Sequence, residues 1–110
     1  SIVITTALLD HPGPEIVYVN PAFTEMTGYG TEEVLGKTPR LLQGANTDKK
    51  LLNDLRWHLR EGQPFHGEAI NYHKDGTEFF VEWNITPIRN VNNTITHYVA
   101  IQRDITERKV

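Results

Sequence analysis

Residues 28–44 read GYGTEEVLGKTPRLLQG. Gly28 closes the helical segment before it, because glycine adopts the left-handed conformation that ends a helix. Thr31-Glu32-Glu33 opens a short helix, with a capping hydroxyl and two acids at the positive end of the helix dipole. Gly36 stops it. Strands are expected on both sides of this helical stretch.

Upstream, residues 2–9 are apolar and β-branched and predict a strand. DHPGPE at 10–15 is a turn cluster, and IVYVN at 16–20 is a second strand. The two should form a hairpin. Asn20-Pro21 then opens a short helix, since asparagine caps free N–H groups and proline tolerates the first helical position. Downstream, Thr47-Asp48 begins the longest helix, which runs to Glu61 and is stopped by Gly62. Leu52, Leu55 and Leu59 recur at helical spacing and give it a buried stripe. From Phe65 the apolar pattern changes to strict alternation. Residues 65–72, 77–89 and 94–104 predict three strands, joined by turns at Lys74-Asp75-Gly76 and Asn90 to Asn93. Antiparallel strands with helices inserted between them imply an α+β domain.

A length of 110 residues fits one domain, and 38% apolar residues with ten aromatics support one modest core. The formal charge is −3 with scattered cations. Nucleic-acid surfaces need a clustered positive field, so none is expected. The chain has no cysteine, which excludes disulfides, thiolate metal sites and thiol catalysis. No apolar run approaches the ~20 residues that span a bilayer, and no signal peptide is visible. A cytoplasmic location and no membrane contact are therefore expected. The chain reads as a module cut from a longer protein.

Four motifs follow this order of elements. They are VYVNPAFTEMTGY (17–29), EEVLGK (32–37), NYHKDGTEFF (71–80) and HYVAIQRDITERK (97–109). Together they resemble the PAS sensor family over nearly the whole chain. The resemblance implies a five-stranded antiparallel sheet with short helices packed on one face. The PAS domain would occupy residues 1–104, with 105–110 starting a C-terminal output helix. Residues 36–44 resemble more narrowly the flavin-binding light-oxygen-voltage (LOV) branch. There the segment reads G-R-N-C-R-F-L-Q-G, and the cysteine bonds to the flavin in light. Here Thr38 and Pro39 stand in place of the asparagine and the cysteine. Proline cannot form that bond.

The LOV resemblance implies FMN or FAD contacts at Arg40, Gln43, Arg56, Asn71 and Gln102. Val81 stands where the branch carries a second asparagine at the ring edge. Alternation along the strands gives an independent view of the same region. One face carries Gly67, Ala69 and Asn71, another Ala100 and Gln102, and the middle strand Phe79, Val81, Trp83 and Ile85. If these faces converge, small residues leave space and two amides point into it. A planar heterocycle with edge donors and acceptors would satisfy both amides, as would bound water or a backbone group. Arg40 and Arg56 suit a phosphate, since guanidinium forks match phosphate oxygens, but they also fit ordinary surface ion pairs. Asn71 also fits a role in organising the turn that follows it. Trp83 either stacks on a ligand or fills the interior.

Haem is not expected, because it needs a buried axial histidine. His58 falls mostly on the polar side of its helix, and His66, His73 and His97 fall at strand ends, outward positions or turns. The chain has no G-x-S-x-G, P-loop or H-E-x-x-H motif, so this domain is not read as an enzyme. Asp104-Ile105-Thr106 resembles the D-I-T that closes many PAS domains and couples the sheet to an output helix. Val99 and Ile101 face outward on the last strand, and such apolar strips mark partners, so a homodimer is expected through the sheet face or flanking helices. The resemblance implies a sensory input module of a bacterial signalling protein, of the histidine kinase or diguanylate cyclase type. A flavin redox sensor without adduct chemistry and a purely structural dimerisation module are the other two readings.

Overall fold

Asn20 marks the point where the chain turns from strand to helix. Its Oδ1 accepts from the backbone N–H groups of Phe23 (3.1 Å) and Ile2 (2.8 Å), so one amide caps a helix and anchors the neighbouring strand. A computed structural model describes residues 1–10 and 12–109. In chain order the elements are β1 (Ile2–Thr6), β2 (Ile16–Val19), α1 (Pro21–Thr27), α2 (Thr31–Val34) and a 3-10 turn (Pro39–Leu42). They continue with α3 (Lys49–Arg60), β3 (Phe65–Tyr72), β4 (Glu78–Arg89), β5 (Ile95–Asp104) and α4 (Thr106–Lys109). The α+β architecture is as expected. The five strands form one antiparallel sheet in the order β2-β1-β5-β4-β3.

Some boundaries differ from the sequence reading, for local reasons. β1 stops at Thr6 rather than residue 9. Its pairing with β2 shifts register between Ile4 and Thr5, and beyond it Ala7 and Leu9 pack against the core instead of extending the ladder. The helix α2 is capped at Gly30, not Thr31. The Gly30 N–H donates to Glu33 Oε1 at 2.9 Å, a reach-back carboxylate in place of a capping hydroxyl. The 3-10 turn was not legible as an element. Pro39 occupies its first position and Thr38 Oγ1 accepts from the Arg40 N–H.

The core divides into two apolar clusters. One gathers Val3, Ile16, Val19, Phe23, Val34 and Leu42. The other gathers the β3–β5 side chains Phe65, Ala69, Phe79, Val81, Trp83, Ile85 and Tyr98 with Leu59 of α3. Over this face runs the helical segment from α1 to α3, fastened at both edge strands. At the β2 edge, the Ile16 N–H donates to Lys37 O (2.8 Å) and the Gly36 N–H to Ile16 O (2.9 Å). At the β3 edge, Thr47 Oγ1 donates to Ile70 O (2.8 Å) and accepts from the Gly44 N–H (3.0 Å). The Tyr72 hydroxyl accepts from the Asn46 N–H (2.9 Å) and donates to Glu78 (2.9 Å).

The opposite sheet face is open. Ile2 lies beside Ile101 and Ile4 beside Val99, and Ile101 is 55% exposed. Near one end of this face, Glu82 joins His66 (3.0 Å) and Arg103 (2.7 Å) across three strands. The hydrogen bond to His66, and then the one to Arg103, hold the Glu82 carboxyl below its ordinary range.

Two predictions follow from these contacts. An added Cβ at Gly44 would collide with the Tyr72 ring, which both hydroxyl bonds hold in place. Gly44→Ala should therefore destabilise the domain by about 1–3 kcal/mol in urea unfolding. A wild-type midpoint would show that the ring moves freely. The lowered Glu82 pKa adds stability above the unfolded value, and that part is lost as pH falls through the folded value. Glu82→Gln should flatten the loss of thermal stability below pH ~4.3, where an unfolded glutamate titrates. An unchanged acid limb would separate this carboxylate from acid unfolding.

Candidate functional site

Between sheet and helical segment lies a cavity of about 490 Å3, walled by members of both apolar clusters. This is within the range of small-molecule sites, roughly 300–1,000 Å3. The register explains why the inward positions meet. Trp83 on β4 lies opposite Gly67 on β3 and Gln102 on β5, while Ile85 lies opposite Phe65 and Ala100. The roof comes from the 3-10 turn and α3, and the loop after β1 contributes Leu9, Gly13 and Pro14.

Of the seven residues singled out for a cofactor, Arg40, Gln43, Arg56, Asn71, Trp83 and Gln102 line this one cavity. Val81 does not. It is fully buried inside the larger apolar cluster, where it pairs with Ala69 and Asp104. Gly67 also plays a different part from the one expected. A Cβ there would meet Phe65 at 2.8 Å and Leu51 at 3.3 Å, so its missing side chain makes room for those residues rather than for a ligand. Among the small residues expected to open space, Ala100 is the one that lines the cavity.

The amides lie inside. Asn71 is 2% exposed and Gln102 8%. Gln102 Oε1 is 3.5 Å from the Ser1 hydroxyl, and its backbone N–H donates to Ser1 O. Among the described residues Asn71 Oδ1 has no hydrogen-bond partner, nor does Trp83 Nε1. Leaving such groups unpaired costs about 1–3 kcal/mol each. Asn71 does not organise the following turn, which Asp75 holds by accepting from the Thr77 N–H. Trp83 walls the cavity without filling it. Leu52 and Leu55 are half-buried rather than buried, because their stripe packs against the larger apolar cluster on one side and borders the cavity on the other.

Arg40 and Arg56 are exposed at the cavity wall, and neither forms an ion pair with a described residue. The surface ion-pair reading of these two therefore has no partner here. Lys49 and Asn53 join Arg56 on the same face of α3. Their spacing, i, i+4 and i+7, is the signal that could have found them. Tyr98 also lines the cavity, and alternation places it on the face of Ala100 and Gln102. Burial holds its phenol above the ordinary tyrosine range.

The histidines lie elsewhere. His58 is half-buried, edge-on to Phe65 at 5.3 Å, and so is less solvated than expected. His66 bonds Glu82, and His73 stacks on Phe79 at 4.3 Å. His11 lies outside the described residues. No cluster of three possible metal ligands occurs among the described residues.

The segment after β5 is tied to β4. The Ile105 N–H donates to Phe80 O (2.9 Å), and Thr106 Oγ1 accepts from the Phe80 N–H (3.1 Å). Asp104 Oδ1 accepts from the Thr106 N–H (2.9 Å). Ile105 is 2% exposed. The last strand thus leads from a cavity amide at Gln102 to a buried anchor three residues on, and directly into a short helix that begins at Thr106.

Known proteins with this arrangement share a family. The family model of the PAS domain matches residues 2–107. A nitrogen fixation regulatory protein of Klebsiella oxytoca is 39% identical over 90 residues, 82% of this chain and 18% of that protein. A blue-light-activated histidine kinase of Brucella canis is 37% identical over 95 residues, 86% of this chain and 19% of that protein. The chain thus spans less than a fifth of the length of these curated relatives. Among solved structures, a light-oxygen-voltage domain studied with a flavin analogue superposes with a TM-score of 0.89 at 32% identity, covering 98% of this chain and 78% of that one. The LOV domain of the Erythrobacter litoralis EL346 blue-light-activated histidine kinase gives 0.87 at 29% identity, covering 96% and 95%. No helix of the described residues is long and apolar enough to cross a membrane. With the family model covering almost every residue and the sheet, helices and cavity in place, this chain belongs to the PAS family and is a sensory input module of signal-transduction proteins.

Proposed function

We propose that the cavity holds a flavin, FMN or FAD, and that the domain reports the flavin's redox state without a covalent adduct. The observation that carries this reading is the buried, unpartnered Asn71 Oδ1 in a cavity that also presents Gln102 and is rimmed by unpaired cations. A flavin has the matching parts, a flat ring with a polar edge and a phosphorylated tail. Asn71 and Gln102 would hold the ring edge, Gln43 would support it, and Arg40 and Arg56 would take the phosphate. The chain has no thiol, so adduct formation is not available to it. The relatives named for blue-light activation and the structures of LOV domains favour a flavin over other flat heterocycles.

A bound flavin would supply a change of charge and hydrogen bonding at its ring edge on reduction. The chain's own residues do the rest. The Gln102 amide can turn, offering oxygen or nitrogen to its neighbour. Its strand continues into Asp104, Ile105 and Thr106, which would pass the change to an output helix and an effector beyond this chain. The relatives support a histidine kinase as that effector, with a diguanylate cyclase as the other type expected. The apolar strip of Ile2, Ile4, Val99 and Ile101 supports pairing of two copies through the sheet face.

Purified protein should be yellow, or become so with added FMN or FAD, and mass spectrometry should identify the flavin. Protein that stays colourless after reconstitution overturns the reading. Arg40→Gln with Arg56→Gln should weaken FMN by about ten-fold, as loss of charge-assisted bonds does, and leave riboflavin unaffected. Equal losses for both ligands would remove the arginines from phosphate binding. In the full-length protein, Gln102→Leu should abolish signalling while circular dichroism stays native. Unchanged output would remove Gln102 from the mechanism.

A further inference from the structure

Among the described residues two buried side-chain atoms lack a partner, and they differ in kind. Asn71 Oδ1 is an acceptor, whereas Trp83 Nε1 is a donor. An amide can exchange its oxygen and nitrogen by turning, but an indole N–H donates only. Trp83 is 5% exposed and walls the cavity, directly across the ladder from Gln102. Its other ladder neighbour, Gly67, has no side chain with which to bond it. The indole therefore has a fixed polarity and nothing among the described residues to satisfy it.

We propose that Trp83 is a specificity-determining residue, whose indole N–H donates a hydrogen bond to an acceptor atom on the edge of the bound ligand. The inference rests on the flavin reading and deepens it. It assigns the indole a polar role in place of stacking or filling. It also requires that the ligand present an acceptor beside the atom that Gln102 contacts, since a donor there would leave two hydrogens facing each other. Val81, two residues back on the same strand, is apolar and does not reach the cavity, so β4 has no other polar inward side chain near this position.

Trp57 is 56% exposed and is not a cavity residue, so Trp57→Phe leaves Trp83 as the sole indole. In that background, the indole N–H resonance should move downfield on addition of FMN, and its exchange with water should slow. Trp83→Phe keeps an aromatic ring but removes the donor. It should weaken FMN roughly ten-fold, the size of one lost buried hydrogen bond. FMN that binds while the indole resonance stays in place overturns the proposal and leaves the flavin reading standing. A domain that binds neither FMN nor FAD overturns both. The resonance experiment decides the matter even if the Phe variant folds poorly.

Discussion

The fastening of one helical segment at both edges of the sheet is the constraint on which the cavity depends. β2 and β3 are the two outer strands. The segment is bonded to the first through Gly36 and Lys37 and to the second through Thr47 and Asn46. A chain held at both edges of a twisted sheet spans its middle like a bridge. β1, β5 and β4 pass beneath. The apolar side chains collect into separate clusters, and the interior between them stays open. A helix fastened at one edge alone could settle onto the sheet and bury Leu52 and Leu55 fully.

That openness costs stability. Fully burying a leucine contributes about 1.5–3 kcal/mol over leaving it exposed, and α3 forgoes part of this at two positions. Two buried polar atoms without partners add to the cost. A protein in this condition gains from whatever satisfies those atoms, because a ligand bound selectively by the folded state stabilises it by mass action. The same features that cost the fold stability would thus contribute binding energy to a ligand that satisfied those atoms. Strain of this kind persists where function maintains it, as departures from local consistency generally do.

Much of this fold was legible because its signals are local. Alternation located β3, β4 and β5, and Asn20, Asp48 and Gly28 announced helix ends through capping chemistry. The same alternation put Asn71, Trp83 and Gln102 on inward faces. What escaped depends on three-dimensional neighbours. Gly67 looks like a space-maker in sequence, but only the structure shows that Phe65 and Leu51 take the room. The 3-10 turn is too short for any periodicity, and β1 stops at Thr6, beyond which Ala7 and Leu9 pack on the core, a turn that no residue type declares. Lys49, Asn53 and Tyr98 were readable in principle. Tyr98 shares the face of Ala100 and Gln102, and Lys49 and Asn53 stand at helical spacing from Arg56.

If the domain signals as proposed, the path from cavity to output would be short, because β5 lines the cavity and leads into the departing segment. Gln102 lies in the central region of the sheet, with Trp83 on one side and the Ser1 carbonyl on the other. A change at its side chain need not travel through a chain of packed residues. Two positions later Asp104 pairs with Val81, and then Ile105 and Thr106 take both backbone groups of Phe80. These bonds hold the departing segment in one place, and a rigid attachment alone transmits no signal. A switch needs a second arrangement of comparable energy. The Phe80 bonds are the natural place for one, because a shift of β5 against β4 would break both together and free the segment that follows. Ile105, buried at 2% exposure, would oppose such a shift, because moving the segment would expose its side chain.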